Sequence, residues 1–289
     1  MKAAAFDYVR AVSVDEICQL LAGAGDEERK IIAGGQTLVP LMAMRMARPD
    51  LLIDVNDVPE LSGIADQGTH ISFGACTRQR MIERSDLVSS RLPLIAKAVR
   101  NVGHQQTRNR GTIGGSIVHG DPSAELPLAA LALDASIVLR RASGEQEIPI
   151  DGFFEAAMIT NIEPDQLLTE IRVPVWDGAG IGTGFQETAS RQGDFAIVAA
   201  AAQVQMDRAG NIERVAICVG GVAPAPVRLK VVEEKLTGGS LNDVERAVSE
   251  IDDEIDPETD VHATADYRRR VSRRLVASTI AEAMSEAAS

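Results

Sequence analysis

Apolar positions after Ser13-Val14-Asp15-Glu16 fall at helical spacing, with Val14, Ile17, Leu20 and Leu21 on one stripe. The tetrapeptide itself is a capping box, so a helix starts there, and Gly23 and Gly25 end it. Lys30 to Ala33 then reads as a short buried strand, Gly34-Gly35 as its turn, Leu38 to Ala47 as a helix and Leu51 to Val55 as a second strand. This β-turn-α-β unit closes near Val58-Pro59. Ile64 and His70 to Ala75 predict a hairpin about Gln67-Gly68. Helical stretches begin at Thr77 and at Arg91-Leu92-Pro93, the second running to Val99. A further helix is expected from Pro127 to Leu133, a strand from Ala135 to Arg140, a turn at Gly144 toward Ile148, and a strand from Leu167 to Val173 that stops at Pro174.

Past Trp176-Asp177-Gly178-Ala179-Gly180 the pattern changes. Ile212, Val215, Ile217 and Val219 partly alternate, as in a half-exposed antiparallel strand. From Ala223 the chain reads as helical, with a break near Pro257. Asp266-Tyr267-Arg268 opens a last helix, with Val271, Leu275 and Ile280 toward the core and five arginines largely outward. No solenoid-type repeat is present.

Composition narrows the function class. At 289 residues the chain suits two or three modest domains, and 45% apolar content is enough for their cores. Aromatics are only 3%, so aliphatic and alanine packing must carry those cores. A net charge of −13 argues against nucleic acid, whose phosphates call for clustered Lys and Arg. Much of that charge lies between Asn242 and Asp260, expected as a solvated helix face and loop. No run is long and apolar enough for a membrane span, and the N-terminus lacks a signal-peptide pattern. Cys18, Cys76 and Cys218 stand far apart, which fits a reducing cytoplasm and excludes an iron–sulfur cluster held by this chain alone. His70, His104, His119 and His262 have no metal-ligand spacing, so no metal site is expected.

Two glycine-rich segments carry the candidate chemistry: Ala33-Gly34-Gly35-Gln36-Thr37 and Gly111-Thr112-Ile113-Gly114-Gly115-Ser116. Neither fits a P-loop or a dinucleotide fingerprint. Read as turns, both could bring backbone N–H groups against phosphate oxygens, because no Cβ blocks the approach. Asp121-Pro122-Ser123-Ala124-Glu125 follows the second segment and offers acceptors for a vicinal diol, with Ser123 also suited to cap a helix.

In order, Ile31-Ile32-Ala33-Gly34-Gly35-Gln36-Thr37-Leu38, the long run Thr112 to Pro127, and Arg191-Gln192-Gly193-Asp194-Phe195-Ala196 resemble the FAD-binding medium subunit of molybdenum hydroxylases. That is the xanthine oxidase and aerobic carbon monoxide dehydrogenase family, and the resemblance covers nearly the whole chain. It implies an α+β fold: an FAD-binding domain of two α/β subdomains (vanillyl-alcohol-oxidase/PCMH-like), residues 1–57 and 58–175, plus a smaller C-terminal sheet-and-helix domain, residues 176–289. It further implies that Gly34, Gly35, Gln36, Thr37 and Leu38 wrap the FAD diphosphate from one side, with Thr112, Gly114 and Gly115 on the other. Ile31, Ile32 and Ala33 accompany the first group, although Ile31 and Ile32 also read as core strand residues. Glu125 and Asp121 are matched to an acidic position beside FAD, with Ser123 and His119 alongside, and Val102 and Leu168 to apolar positions lining the flavin pocket.

Gln186 stands after Phe185 where xanthine oxidase-like members often carry Lys, which removes a cation from beside the flavin unless Arg191 supplies one. The resemblance implies no catalytic residue in this chain. Electrons would pass from substrate to a molybdenum–molybdopterin centre in a large subunit, through [2Fe-2S] centres in a small subunit, to FAD here, and on to an external acceptor. The assembly would be a dimer of heterotrimers. A self-contained flavin oxidase and a cofactor-free assembly scaffold are the rival readings.

Overall fold

The computed structural model describes residues 2–289. In the N-terminal part β1 (Asp7–Arg10), α1 (Val14–Ala22), β2 (Arg29–Ile32), α2 (Leu38–Ala43) and β3 (Leu51–Asp54) form a parallel sheet of order β1-β3-β2 with its own small core around Ile17, Ile53 and Leu61. The cap of α1 forms with one change. Ser13 Oγ accepts from Glu16 N at 3.2 Å, while Glu16 Oε2 accepts from Val12 N at 2.8 Å instead of from Ser13. Helix α2 ends at Ala43, short of the expected Ala47, because Arg45 takes the left-handed conformation (φ 61°) and the Met46 and Ala47 amides fold back onto Leu41 O.

The central part contains β4 (Ile64–Asp66), β5 (His70–Gly74), α3 (Gln79–Glu83), α4 (Asp86–Arg91), α5 (Pro93–Asn101), α6 (Gln105–Arg110), α7 (Ile113–His119) and α8 (Glu125–Ala132). It continues with β6 (Ser136–Arg141), β7 (Gly144–Pro149), β8 (Phe154–Ala156), β9 (Ile159–Thr160) and β10 (Leu167–Pro174). Five of these strands make a sheet of order β4-β5-β10-β6-β7, paired antiparallel throughout. The expected hairpin turn is present, with Gly68 at φ 81° and its amide held by Asp66 Oδ1 at 2.8 Å. Helix α8 (ELPLAALA) is buried along its whole length and forms the middle of the largest core.

The C-terminal part is a four-stranded antiparallel sheet, β11 (Ile181–Thr188), β12 (Val198–Met206), β13 (Ile212–Gly220) and β14 (Val227–Arg228), followed by α9 (Lys230–Leu236), α10 (Val244–Val248) and α11 (Ala265–Ala287). Strand β12 is sandwiched on both faces. Ala199 and Ala201 pack into the central core with α5 and α8, while Ala200, Ala202 and Val204 pack under α11. Small side chains are required there, and glycines on β11 extend the requirement: a Cβ at Gly182 or Gly184 would run into the α11 carbonyls of Ala283 and Thr279. On α11, Val276 and Ile280 are buried and Val271 and Leu275 half-buried. One of the five arginines departs from the outward expectation. Arg268 is only 7% exposed and donates to Ile197 O, to Gly221 O at 2.8 Å and to Asp260 Oδ2 at 2.7 Å. The acidic stretch is a set of short helices and loops, partly neutralised by pairs such as Asp252–Arg273 and Asp260–Arg268.

Candidate functional site

The first glycine segment leaves β2 and enters α2 as a tight loop. Gly35 takes φ 70°, which a Cβ-bearing residue adopts only under strain. Gly34 is buried, and a Cβ there would strike Arg110 O and come within 2.9 Å of Gly111 Cα. The two glycine segments therefore touch. Among the described residues, the backbone N–H groups of Gly35, Gln36, Thr37 and Leu38 have no acceptor within the chain. Four consecutive unspent amides in a glycine loop form a concavity suited to anionic oxygens. Asn56 and Arg78, absent from the sequence reading, brace this loop. Asn56 Nδ2 donates to Ala33 O at 2.9 Å, and Arg78 donates to both Asn56 Oδ1 and Arg110 O. No local pattern marks either residue; the contact exists only once β3, α3 and α6 are assembled. Ile31 pairs with Ile53 in the parallel sheet, and Ile32 ends the same strand half-buried, so both are strand residues first.

The second glycine segment is not a turn but the start of α7, and this corrects the expectation. Thr112 caps the helix, its Oγ1 accepting from Gly115 N at 3.1 Å. Ile113 N donates to Thr77 O, Gly114 N to Ala75 O at 2.9 Å and Ser116 N to Thr112 O. The Gly114 amide is thus already committed. Its missing side chain serves packing, since a Cβ would lie 2.6 Å from both Cβ and O of Ala75. Gly115 is different: it is exposed, and a Cβ there would meet only Thr112 Oγ1 at 2.9 Å. Of the pair, Gly115 is the residue that presents bare backbone outward.

Helix α7 ends at half-buried His119, and Gly120 at φ 62° turns the chain into Asp121. Asp121 is buried and its Oδ1 accepts from Ser123 N at 2.8 Å. The N-cap of α8 is Ala124, so Ser123 does not cap the helix. The turn is tied to the C-terminal sheet through Gly221 N, which donates to Pro122 O at 3.0 Å. Glu125, in the first turn of α8, is only 6% exposed. Burial pushes its carboxyl up to about 8, aided by the nearby charges of Glu187 and Asp121 and eased by Arg108. Arg108 is mostly occupied elsewhere, with Glu83 at 3.0 and 3.1 Å and with the carbonyls of Val102 and Gly103, each at 3.0 Å. Val102 ends α5 half-buried, and Leu168 is 3% exposed inside the central core on β10.

Gln186 does not join this group, a second correction. Opposed residues on antiparallel strands share a face, and Gln186 pairs with Ala200, which lies under α11. Its Nε2 donates to Glu282 Oε2 at 3.0 Å, next to Lys97. The neighbouring Glu187 pairs with Ala199 and so faces the central core on the same side as Phe185. Burial raises the Glu187 carboxyl to about 7, and its Oε2 is buried without a donor. Strand alternation from Phe185 was the signal that could have found it. Arg191 is exposed and in no ion pair among the described residues. Its loop leans on the α5–α6 corner, where a Cβ at Gly193 (φ 85°) would come within 2.7 Å of the His104 ring. Phe195 at the end of the loop is 69% exposed.

Residues 4–176 match the FAD binding domain in molybdopterin dehydrogenase, and residues 183–283 the carbon monoxide dehydrogenase flavoprotein C-terminal domain. The chain is 40% identical to the 6-hydroxypseudooxynicotine dehydrogenase complex subunit alpha of Paenarthrobacter nicotinovorans, over 99% of this chain and 97% of that one. It is 35% identical to the carbon monoxide dehydrogenase medium chain of Hydrogenophaga pseudoflava, over 94% of each. A solved structure of carbon monoxide dehydrogenase from Hydrogenophaga pseudoflava superposes with a TM-score of 0.95 at 34% identity, covering 99% of both chains. The chain belongs to the flavoprotein family of the molybdopterin dehydrogenases, joining that family's FAD-binding domain to its C-terminal flavoprotein domain.

Proposed function

We propose that this chain is the FAD-carrying electron-transfer subunit of a multi-subunit molybdenum hydroxylase. The observation that carries the reading is the loop Gly35 to Leu38, with four unspent amides, entered through Gly34, which lies against Arg110 and Gly111 at the start of the second glycine segment. A diphosphate needs donors that approach without side-chain bulk, and this loop supplies them. Thr37 adds a hydroxyl, and Glu125 can bridge the two hydroxyls of a ribose or ribityl diol. Half-buried Val102 offers apolar surface to a ring, while Leu168, packed in the central core, backs the pocket from behind, and Asp121, Ser123 and His119 stand with them as the remaining candidate contacts. When bound, the flavin supplies the redox chemistry, while the protein holds it, orients it and limits water around it.

Molybdenum–molybdopterin and [2Fe-2S] centres are assigned to separate large and small partner subunits, in line with the words "complex" and "medium chain" in the relatives' names. Two such heterotrimers would form the particle, with an external acceptor drawing electrons from this chain. We place residues 1–57, 58–175 and 176–289 as its three structural units, each built on its own sheet. A cytoplasmic setting suits three free, buried cysteines. No helix among the described residues is long and apolar enough to cross a membrane. Affinity isolation of the tagged chain from its native host tests the assignment. Two further chains with iron, molybdenum and FAD are expected; an active substrate dehydrogenase made of this polypeptide alone would overturn it.

A further inference from the structure

The two glycine segments meet along a seam that a guanidinium ties together. A Cβ at Gly34 would strike Arg110 O, and Arg78 Nη1 donates to that same oxygen at 2.5 Å. Through Nη2, Arg78 also donates to Asn56 Oδ1, and the Asn56 amide holds Ala33 O at 2.9 Å. Backbone contacts fix Arg78 from the other side: it bridges Thr112, and Gln79 N donates to Gly111 O at 2.9 Å. Arg78 therefore stands one oxygen atom away from Gly34, at the entry to the unspent amides of Gly35 to Leu38. Both of its acceptors are neutral, its remaining N–H groups have none, and it forms no ion pair among the described residues. Asp54, the next group along through Asn56, is spent on Tyr8 and on Asn56 itself. Arg110 is exposed, and its guanidinium has neither an ion pair nor a hydrogen-bond acceptor among the described residues. The same two helices show the alternative: Arg80 on α3 and Arg108 on α6 are both neutralised by Glu83.

A chain with 42 acidic against 29 basic residues has carboxylates to spare. It nevertheless leaves two guanidinium groups without one, beside a loop whose four amides also lack acceptors. Fixed donors with uncompensated positive charge are what an anion site requires. We propose that Arg78 and Arg110 supply the counter-charge for the cofactor diphosphate, Arg78 from within the seam and Arg110 from its rim, a role that rests on the FAD reading above. The amides give the phosphate oxygens direction, and the guanidinium groups add the full positive charge that amides lack. Burial disfavours the charge on Arg78 and Arg110 repels it, so a bound dianion relieves both. Because Asn56 and Arg110 O hold Arg78 before any ligand arrives, little ordering of its side chain remains to be done on binding.

The test is FAD binding to the full-length apoprotein, titrated by fluorescence from about 0.05 to 0.5 M salt. Wild-type affinity should fall as salt rises. Arg110→Gln removes no contact within the chain, so its apoprotein should melt as wild type does. It should bind FAD several-fold more weakly at low salt and like wild type at high salt, where an exposed charge is screened. Arg78→Gln should bind about tenfold more weakly, or worse, at every salt, since a half-buried charge is screened less. Arg78→Lys separates charge from bracing, because lysine keeps the charge but not the fork that reaches Asn56 and Arg110 O together. It should recover much of the affinity lost in Arg78→Gln, whereas a bracing role alone would leave the two variants alike. Arg110→Gln matching wild type in affinity and salt dependence, or Arg78→Lys no better than Arg78→Gln, would overturn the proposal. A wild-type chain that binds no FAD at any salt would instead sink the parent reading. Inorganic pyrophosphate then probes the seam alone: a rise in apoprotein melting temperature that weakens in Arg110→Gln supports the anion site, and no rise in wild type overturns it.

Discussion

Adjacent glycines at 114 and 115 should respond to the same substitution in opposite ways. Gly114→Ala places a methyl 2.6 Å from Cβ and O of Ala75, and both neighbours are fixed by the end of β5. Alanine gains at most about 1 kcal/mol of helix propensity over glycine. Overpacking against rigid backbone costs about 1–3 kcal/mol or more, so Gly114→Ala should lose roughly 1–2 kcal/mol net. Gly115→Ala meets only the capping Thr112 Oγ1 at 2.9 Å, on an exposed surface. Displacing that cap costs about 1 kcal/mol, close to what the propensity returns, leaving stability near wild type. Its methyl nevertheless projects into the face where the cofactor is expected. Urea melts of the apoprotein, paired with flavin retention on gel filtration, separate the two effects. Gly114→Ala should shift the melt and spare flavin binding in the folded fraction, whereas Gly115→Ala should leave the melt in place and weaken retention. A Gly114→Ala chain as stable as wild type that sheds its flavin would refute the reasoning.

Three further outcomes are expected. Because Glu125 titrates at about 8 in the folded chain against 4.5 when exposed, the native state binds the extra proton and stability falls as pH rises between those values. Glu125→Gln should remove up to about 5 kcal/mol of that fall, so melts of the variant should vary less between pH 5 and 8; an unchanged slope would contradict it. Arg268→Ala strands two carbonyls and breaks a pair with Asp260, and should cost about 3–5 kcal/mol in denaturant titrations, whereas Arg270→Ala on the exposed side should cost almost nothing. Gln186→Lys should pair with Glu282 on the α11 side and leave the flavin potential where it was, as spectroelectrochemistry can check; a raised potential would put residue 186 back beside the ring.

Much of the N-terminal unit was legible because its signals are local: a capping Ser13, a glycine turn and two short aliphatic runs. Strand β1 was not, since Asp7-Tyr8-Val9-Arg10 is only four residues long with a single aliphatic side chain, and it is held at the sheet edge by backbone pairing to β3. Helix α7 begins Ile-Gly-Gly-Ser, a composition that disfavours helix. Tertiary contacts override that propensity: Thr112 caps the helix, and Thr77 and Ala75 accept its first amides. The four alanines of β12 carry no strand propensity of their own, and the strand exists because two helical layers need a thin partition. At the site, the glycine loop could be read from sequence because its chemistry is contiguous. Glu187 was within reach through the alternation of β11 from Phe185, whereas Asn56 and Arg78 were not, because each acts on residues brought near only by the fold.

The central claim is tested most directly by counting flavin on the purified chain. Equilibrium dialysis of the full-length apoprotein against FAD should give one molecule bound non-covalently per chain, released intact on denaturation. FMN, lacking the diphosphate that the Gly35 to Leu38 amides are read as holding, should bind far more weakly. A correctly folded chain that binds no FAD, or that binds FAD and FMN alike, would contradict the account.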